Sequence, residues 1–124
     1  RTRVFAVPVV RAPRATLEVR EPGGRARTIV ADGGPLTIGR APENVLMLVD
    51  SRASRRHARL QARDGVLVLT DLDSTNGTRV NGARIREVVV GEGDVLEIGA
   101  SMITVLAVDD GYPADSPRHG RAEA

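Results

Sequence analysis

The sequence predicts an all-β protein, an antiparallel β-sandwich of two packed sheets with its working loops at one end. Three observations carry that expectation. Short runs of apolar and β-branched residues recur at close intervals, and Gly, Pro, Asp or Asn separates each run from the next. Nowhere does apolar spacing of three and four persist over a helix length.

Taken in order, residues 16–20 alternate apolar and polar side chains and stop at Pro22-Gly23-Gly24. Residues 27–31 follow and meet Asp32-Gly33-Gly34-Pro35. Further strands are expected over 36–38, 45–49, 57–61, 66–70, 88–90, 95–98 and 102–108. Residues 71–82, DLDSTNGTRVNG, hold two Asn-Gly pairs, each the strongest local signal for a tight hairpin turn. Asn81-Gly82 reads as such a turn, with 78–80 as a short strand before it. Asn76-Gly77, embedded in Ser-Thr-Asn-Gly-Thr, reads instead as a loop shaped to present side chains.

The chain of 124 residues has room for one domain with a sizeable core. Its only aromatic residues are Phe5 and Tyr112, so that core must be built from Val, Leu, Ile and Ala. Residues 1–14 mix Arg and Pro and read as a linker, in which Val4-Phe5-Ala6-Val7 could dock against something. Residues 15–108 form the expected domain, and 109–124 read as a flexible tail rich in small, polar and breaker residues. The absence of Met at the start favours a piece of a larger protein. No apolar run approaches a membrane span and no signal-peptide pattern occurs, so a soluble, cytoplasmic protein without direct membrane contact is expected.

Cysteine is absent, which excludes disulfides, thiolate nucleophiles and cysteine metal sites. All eighteen basic residues are arginine, a bias expected of a GC-rich genome. The central residues 16–108 carry twelve arginines and twelve acids, and a neutral domain is a poor electrostatic match for nucleic acid. With only His57 and His119 available, no metal site is expected, and no cofactor fingerprint is complete.

Three loop segments remain: Gly39-Arg40, Ser54-Arg55-Arg56-His57, and Ser74-Thr75-Asn76-Gly77-Thr78. Each borders an expected strand, so each lies at an end of the sandwich. Together they offer guanidinium, hydroxyl, amide and turn N–H donors, the set that a phosphate dianion needs. Alone, each has a plain structural use. Arg40 would be a solvated turn residue, Ser54 would bond its own backbone, and Arg52, Arg55, Arg56 and Arg59 would be a solvated face. A hydrolase triad of Ser54, His57 and Asp71 lacks the strained elbow and the oxyanion donors of such enzymes. The set suits holding a phosphate and not cleaving it, so no enzyme is expected.

The segments LTIGR, SRRHARL, DLDSTNGTRVNG and GEGDVLEIG, in that order, resemble the forkhead-associated (FHA) domain, a family of phosphothreonine-binding β-sandwich modules. The likeness runs from about Leu36 to Val105. It implies that Arg40 reaches the phosphate, that Ser54 donates its hydroxyl and that Arg55 adds a contact. Thr75 would close the far side of the pocket, and Asn76 would bond the bound peptide's backbone. Gly39, Gly77, Asn81 and Gly82 match structural turn positions, and His57 a brace beneath the loops. Val45 and Ala53 depart from the family pattern, the first where an acidic residue is frequent and the second where a β-branched one is.

The implied partners are a phosphothreonine-containing protein or peptide and an upstream Ser/Thr kinase. Arg52, two positions before Ser54 in an extended segment, shares its face and is expected to read an acidic side chain downstream of the phosphothreonine. A phospho-independent scaffold using the same loops is the alternative, and an arginine-mediated nucleic-acid binder is a more distant one.

Overall fold

Alternation of apolar and polar residues does organise this chain. A computed structural model describes residues 12–109. Its eleven strands are β1 (Arg14–Arg20), β2 (Arg27–Ala31), β3 (Leu36–Gly39), β4 (Leu46–Met47), β5 (Ala58–Arg63), β6 (Val66–Asp71), β7 (Thr78–Val80), β8 (Ala83–Ile85), β9 (Glu87–Val90), β10 (Val95–Ile98) and β11 (Ser101–Asp109). The described residues include no helix long and apolar enough to cross a membrane. Strands reach one residue beyond each expected border of the domain. The expected linker and tail lie almost wholly outside the described residues.

One sheet has six strands in the order β2-β1-β11-β10-β7-β8, the other five in the order β4-β3-β5-β6-β9. Every second residue of a strand points inward. Leu17 and Val19 of β1, Leu96 and Ile98 of β10, and Ile103 and Val105 of β11 meet Ile38, Leu60, Leu67 and Leu69 of the opposing sheet. These side chains are fully buried or nearly so, and the described core contains no Phe, Tyr or Trp. Its stability therefore rests on aliphatic burial, at about 25 cal/mol per Å² of apolar surface.

Two differences from the expected pattern have local causes. The strand expected over 45–49 shrinks to β4, and it runs parallel to β3 with Ile38 opposite Leu46. All other strand pairs are antiparallel. On the outer side of this edge, the Met47 carbonyl accepts from Arg27 at 2.8 Å and the Val49 N–H donates to Glu21 at 2.8 Å. Side chains from the β1–β2 hairpin occupy the groups that a neighbouring strand would use, which blunts an exposed edge. The short strand β8 also lies outside the expected set, since Ala83-Arg84-Ile85 is too short to show a periodicity.

The two Asn-Gly pairs behave differently. Asn81 and Gly82 both adopt positive φ, 51° and 87°, and join β7 to β8 with Val80 opposite Ala83. That is a two-residue type I′ hairpin. At the first pair only Gly77 has positive φ, and the chain there crosses from β6 in one sheet to β7 in the other. The first pair belongs to a crossover.

Candidate functional site

Four connections meet at one end of the sandwich: β3–β4, β4–β5, β6–β7 and β10–β11. Hydrogen bonds between them fix their mutual positions. The Arg40 and Ala41 N–H groups donate to the carbonyls of Ser54 and Arg55 at 2.9 and 3.1 Å. Buried Asn44 donates its side-chain amide to the carbonyls of Ala41 and Arg55 at 2.8 and 2.7 Å, holding the first two connections together. Gly39 allows this approach, because a Cβ there would collide with the Arg55 carbonyl oxygen.

His57 sits at the centre, fully buried. Its Nδ1 accepts the Ser54 N–H at 2.9 Å, which places the ring proton on Nε2, 2.9 Å from the Gly77 carbonyl that receives it. One ring thus ties the β4–β5 connection to the β6–β7 connection. The Ser54 hydroxyl spans the same gap by accepting the Thr75 N–H at 3.0 Å. Asn76 donates to the Arg52 carbonyl at 2.9 Å and completes the seam.

Among the sequence-expected residues, Arg40, Arg52, Ser54, Arg55, Thr75 and Asn76 all lie on these connections, with Gly39, His57 and Gly77 beneath them. Arg40 is anchored through Nε to the Ala53 carbonyl at 2.9 Å, and its two terminal nitrogens have no partner among the described residues. Arg55 is exposed and its guanidinium is likewise unpartnered among them. Arg52 lies 3.6 Å from Asp50. Asn81 and Gly82 stand apart, in the β7–β8 turn, where Asn81 bonds Asp94 and the Val95 N–H.

The arrangement disfavours a hydrolase. Ser54 meets His57 through its backbone N–H and not its hydroxyl, and Asp71 lies 4.0 Å from the ring at the nitrogen that Gly77 engages. Among the described residues no group of three or more His, Asp or Glu could hold a metal ion. What the end offers is exposed guanidinium, hydroxyl and amide donors on a fixed frame. Such donors bind anions.

The family model of the FHA domain matches residues 36–99. The chain belongs to the FHA family. FhaA of Mycobacterium tuberculosis is 40% identical over 82 residues, a match covering 66% of this chain and 16% of FhaA. The oxoglutarate dehydrogenase inhibitor of Corynebacterium diphtheriae is 39% identical over 80 residues, 64% of this chain and 55% of that one. The matched region thus spans about half of that inhibitor and a small part of FhaA. Among solved structures, the FHA domain of FhaA in complex with the intracellular domain of Rv3910 superposes with a TM-score of 0.63 at 36% identity, covering 77% of this chain and 99% of that one. Mycobacterium tuberculosis EmbR in complex with a low-affinity phosphopeptide gives a TM-score of 0.62 at 26% identity, over 82% of this chain and 26% of EmbR.

This FHA domain owes the rigidity of its loop end to residues that the sequence reading passed over or used otherwise. Asp50 accepts from the N–H groups of Arg52 and Ala100 at 2.9 and 2.7 Å and from the Ser101 hydroxyl at 3.3 Å. Asp71 accepts the hydroxyls of Ser74 and Thr78, both at 2.6 Å, and the Ser74 N–H at 3.1 Å. Among the described residues the buried polar set is Asn44, Asp50, His57, Thr78 and Ser101, and each of them borders these connections. The local signals were present: Asp50-x-Arg52 and Asp71-x-x-Ser74 are spacings at which Asp bonds nearby backbone.

These two carboxylates should make this domain acid-sensitive. Burial alone would raise both, but the bonds from Arg52 and Ala100 to Asp50, and from Ser74 and Thr78 to Asp71, outweigh it and hold each below its ordinary value. A carboxylate lowered by folding stabilises the native state above its unfolded pKa of about 3.9, and the contribution disappears as pH falls through the folded value. The melting temperature should therefore hold steady from about pH 7 to 5 and fall below about pH 4. In Asp71→Asn the native state should be weaker at neutral pH and the acid-side decline shallower. A decline identical to wild type would remove Asp71 from the acid response.

Proposed function

We propose that this FHA domain is a binding module, not an enzyme, that docks a protein bearing phosphothreonine written by a Ser/Thr kinase in the cytoplasm. The observation that carries the reading is the pairing of Arg40 and Ser54. The Arg40 guanidinium is fixed by Nε with its terminal nitrogens unpartnered among the described residues. Ser54 uses an oxygen lone pair on Thr75 and keeps its hydroxyl proton for donation outward. Arg40 supplies charge, Ser54 and Thr75 supply hydroxyls, Arg55 adds a second guanidinium, and Asn76 meets the peptide backbone.

Titration of matched phosphorylated and unphosphorylated peptides by calorimetry tests this. Micromolar affinity, about −8 kcal/mol, is expected for the phosphorylated form alone. Equal binding of both forms would favour a phospho-independent scaffold.

Phosphoserine lacks one methyl group, and the loop around Thr75 and Asn76 is expected to receive that methyl. Its burial is worth about 0.8 kcal/mol, so phosphoserine should bind at least several-fold more weakly in an otherwise identical peptide. Indistinguishable affinities would show that the loops recognise phosphate without recognising threonine. Arg52 faces a groove of about 380 Å³ that Asn76, Gly77, Arg79, Glu97 and Gly99 also line. An acidic side chain downstream of the phosphothreonine would meet Arg52 there. Arg52→Ala should flatten a preference for Asp or Glu at that position while phosphate dependence persists. An unaltered peptide-library profile would take Arg52 out of the site.

A further inference from the structure

The β7–β8 hairpin carries charge that the fold does not use. Arg79 and Arg84 stand directly opposite each other in its register, and both are exposed. Like charges so placed are destabilising. No carboxylate among the described residues lies within ion-pair distance of either. Arg79 gives one 3.3 Å bond to the Gly82 carbonyl, and Arg84 gives none. Glu97 is paired with Arg79 across β10 and β7, yet the two side chains form no ion pair.

Position gives this pair a connection to the site. Arg79 lines the groove that starts at Asn76. Arg84 packs against Gly77, with Nε only 2.7 Å from where a Cβ on that glycine would fall. The Arg84 guanidinium therefore lies against the β6–β7 crossover, while Arg79 lines the groove beside it. Arg52, by contrast, already has Asp50 beside it at 3.6 Å. Two opposed arginines break a local rule of sheet pairing, and such breaks concentrate where function needs them. The planar forks of two arginines match a carboxylate or phosphate placed between them, and that anion would remove their repulsion.

We infer that Arg79 and Arg84 form a second anion subsite, which takes an acidic or phosphorylated side chain of the same peptide whose phosphothreonine sits at Arg40 and Ser54. The inference rests on the phosphopeptide reading. Glu97, on the β10 wall of the groove, repels an anion and directs it toward the hairpin.

The test is calorimetry on the full chain with singly phosphorylated peptides in which one added Asp, or in a parallel series one added phosphothreonine, is walked through the flanking positions. At one position the wild-type protein should gain about threefold from Asp and about tenfold from the second phosphate. The gain should vanish in both Arg79→Gln and Arg84→Gln, persist in Arg52→Ala and grow in Glu97→Gln. A gain from the phosphate alone, or from Asp alone, supports the subsite and identifies its ligand. The two Gln variants should melt at or above the wild-type temperature, since each relieves the opposed charges. No gain at any position, or gains that are all either lost in Arg52→Ala or retained in both Gln variants, would overturn the subsite while leaving the phosphothreonine site intact. Failure of the wild type to bind any singly phosphorylated peptide would overturn that reading and the subsite with it.

Discussion

His57→Ala is expected to lower the melting temperature of this domain by about 10–20 °C, the largest effect of any single change at the loop end. The side chain is fully buried and engages the Ser54 N–H and the Gly77 carbonyl at 2.9 Å each. Alanine leaves a donor and an acceptor without partners, at about 1–3 kcal/mol for each buried group, together with a void the size of the ring. Water entering that void would offset part of the loss, so a total of about 2–3 kcal/mol is expected. A domain of this size shifts by about 4–8 °C per kcal/mol. Calorimetric melting of the variant checks the prediction. Unchanged stability together with lost peptide binding would mean that the ring acts on the ligand and not on the frame.

Arg40→Ala should do the reverse, abolishing most binding while leaving the melting temperature within a few degrees of wild type. The side chain is exposed, and it makes a single internal bond, from Nε to the Ala53 carbonyl, which is only part-buried. Its loss from the folded protein is therefore small. In the complex each hydrogen bond to a charged group contributes about 1.5–3 kcal/mol, so loss of the guanidinium should weaken phosphopeptide binding at least about tenfold and up to about a hundredfold. Ser54→Ala should weaken binding similarly, and it also removes the acceptor of the Thr75 N–H, so Thr75 loses its position as well. Arg40→Lys should recover only part of the loss, because an ammonium cannot present two parallel donors to phosphate. Titration of one phosphothreonine peptide against each variant decides the matter. Wild-type affinity in Arg40→Ala would show that the phosphate sits elsewhere.

Much of the fold was legible because aliphatic alternation and turn chemistry agree along most of the chain. Residues 16–20 and 95–98 show their inward faces in sequence, residues 66–70 show as a continuous apolar run, and each lies in a strand. The edge around 45–49 misleads for a physical reason. Val45, Met47 and Val49 look like half of a buried strand, yet they face outward, and the backbone beside them is satisfied by Glu21 and Arg27, far away in sequence. The exposed donors of the candidate site could be found by their residue types and spacing. Its frame was harder to see, because Asn44 and Asp50 act through bonds that close only when separate loops meet. Asp71 was weighed only as a hydrolase acid, while its two hydroxyl partners lie three and seven residues further along the chain.

The bond from the Ser101 hydroxyl to Asp50 joins residues 51 positions apart, and Thr75 reaches Ser54 across 21. Contacts so distant in sequence close late, because each must overcome the entropy of a long loop before it gains anything. A newly made chain should therefore pass through most of its collapse with no competent pocket, and gain one only when the two sheets lock. During refolding, fluorescence from a labelled phosphopeptide should rise in step with the slowest phase, with no earlier amplitude. Saturating peptide would then slow unfolding of the same unit, since a ligand held by three connections must dissociate before any one of them can open.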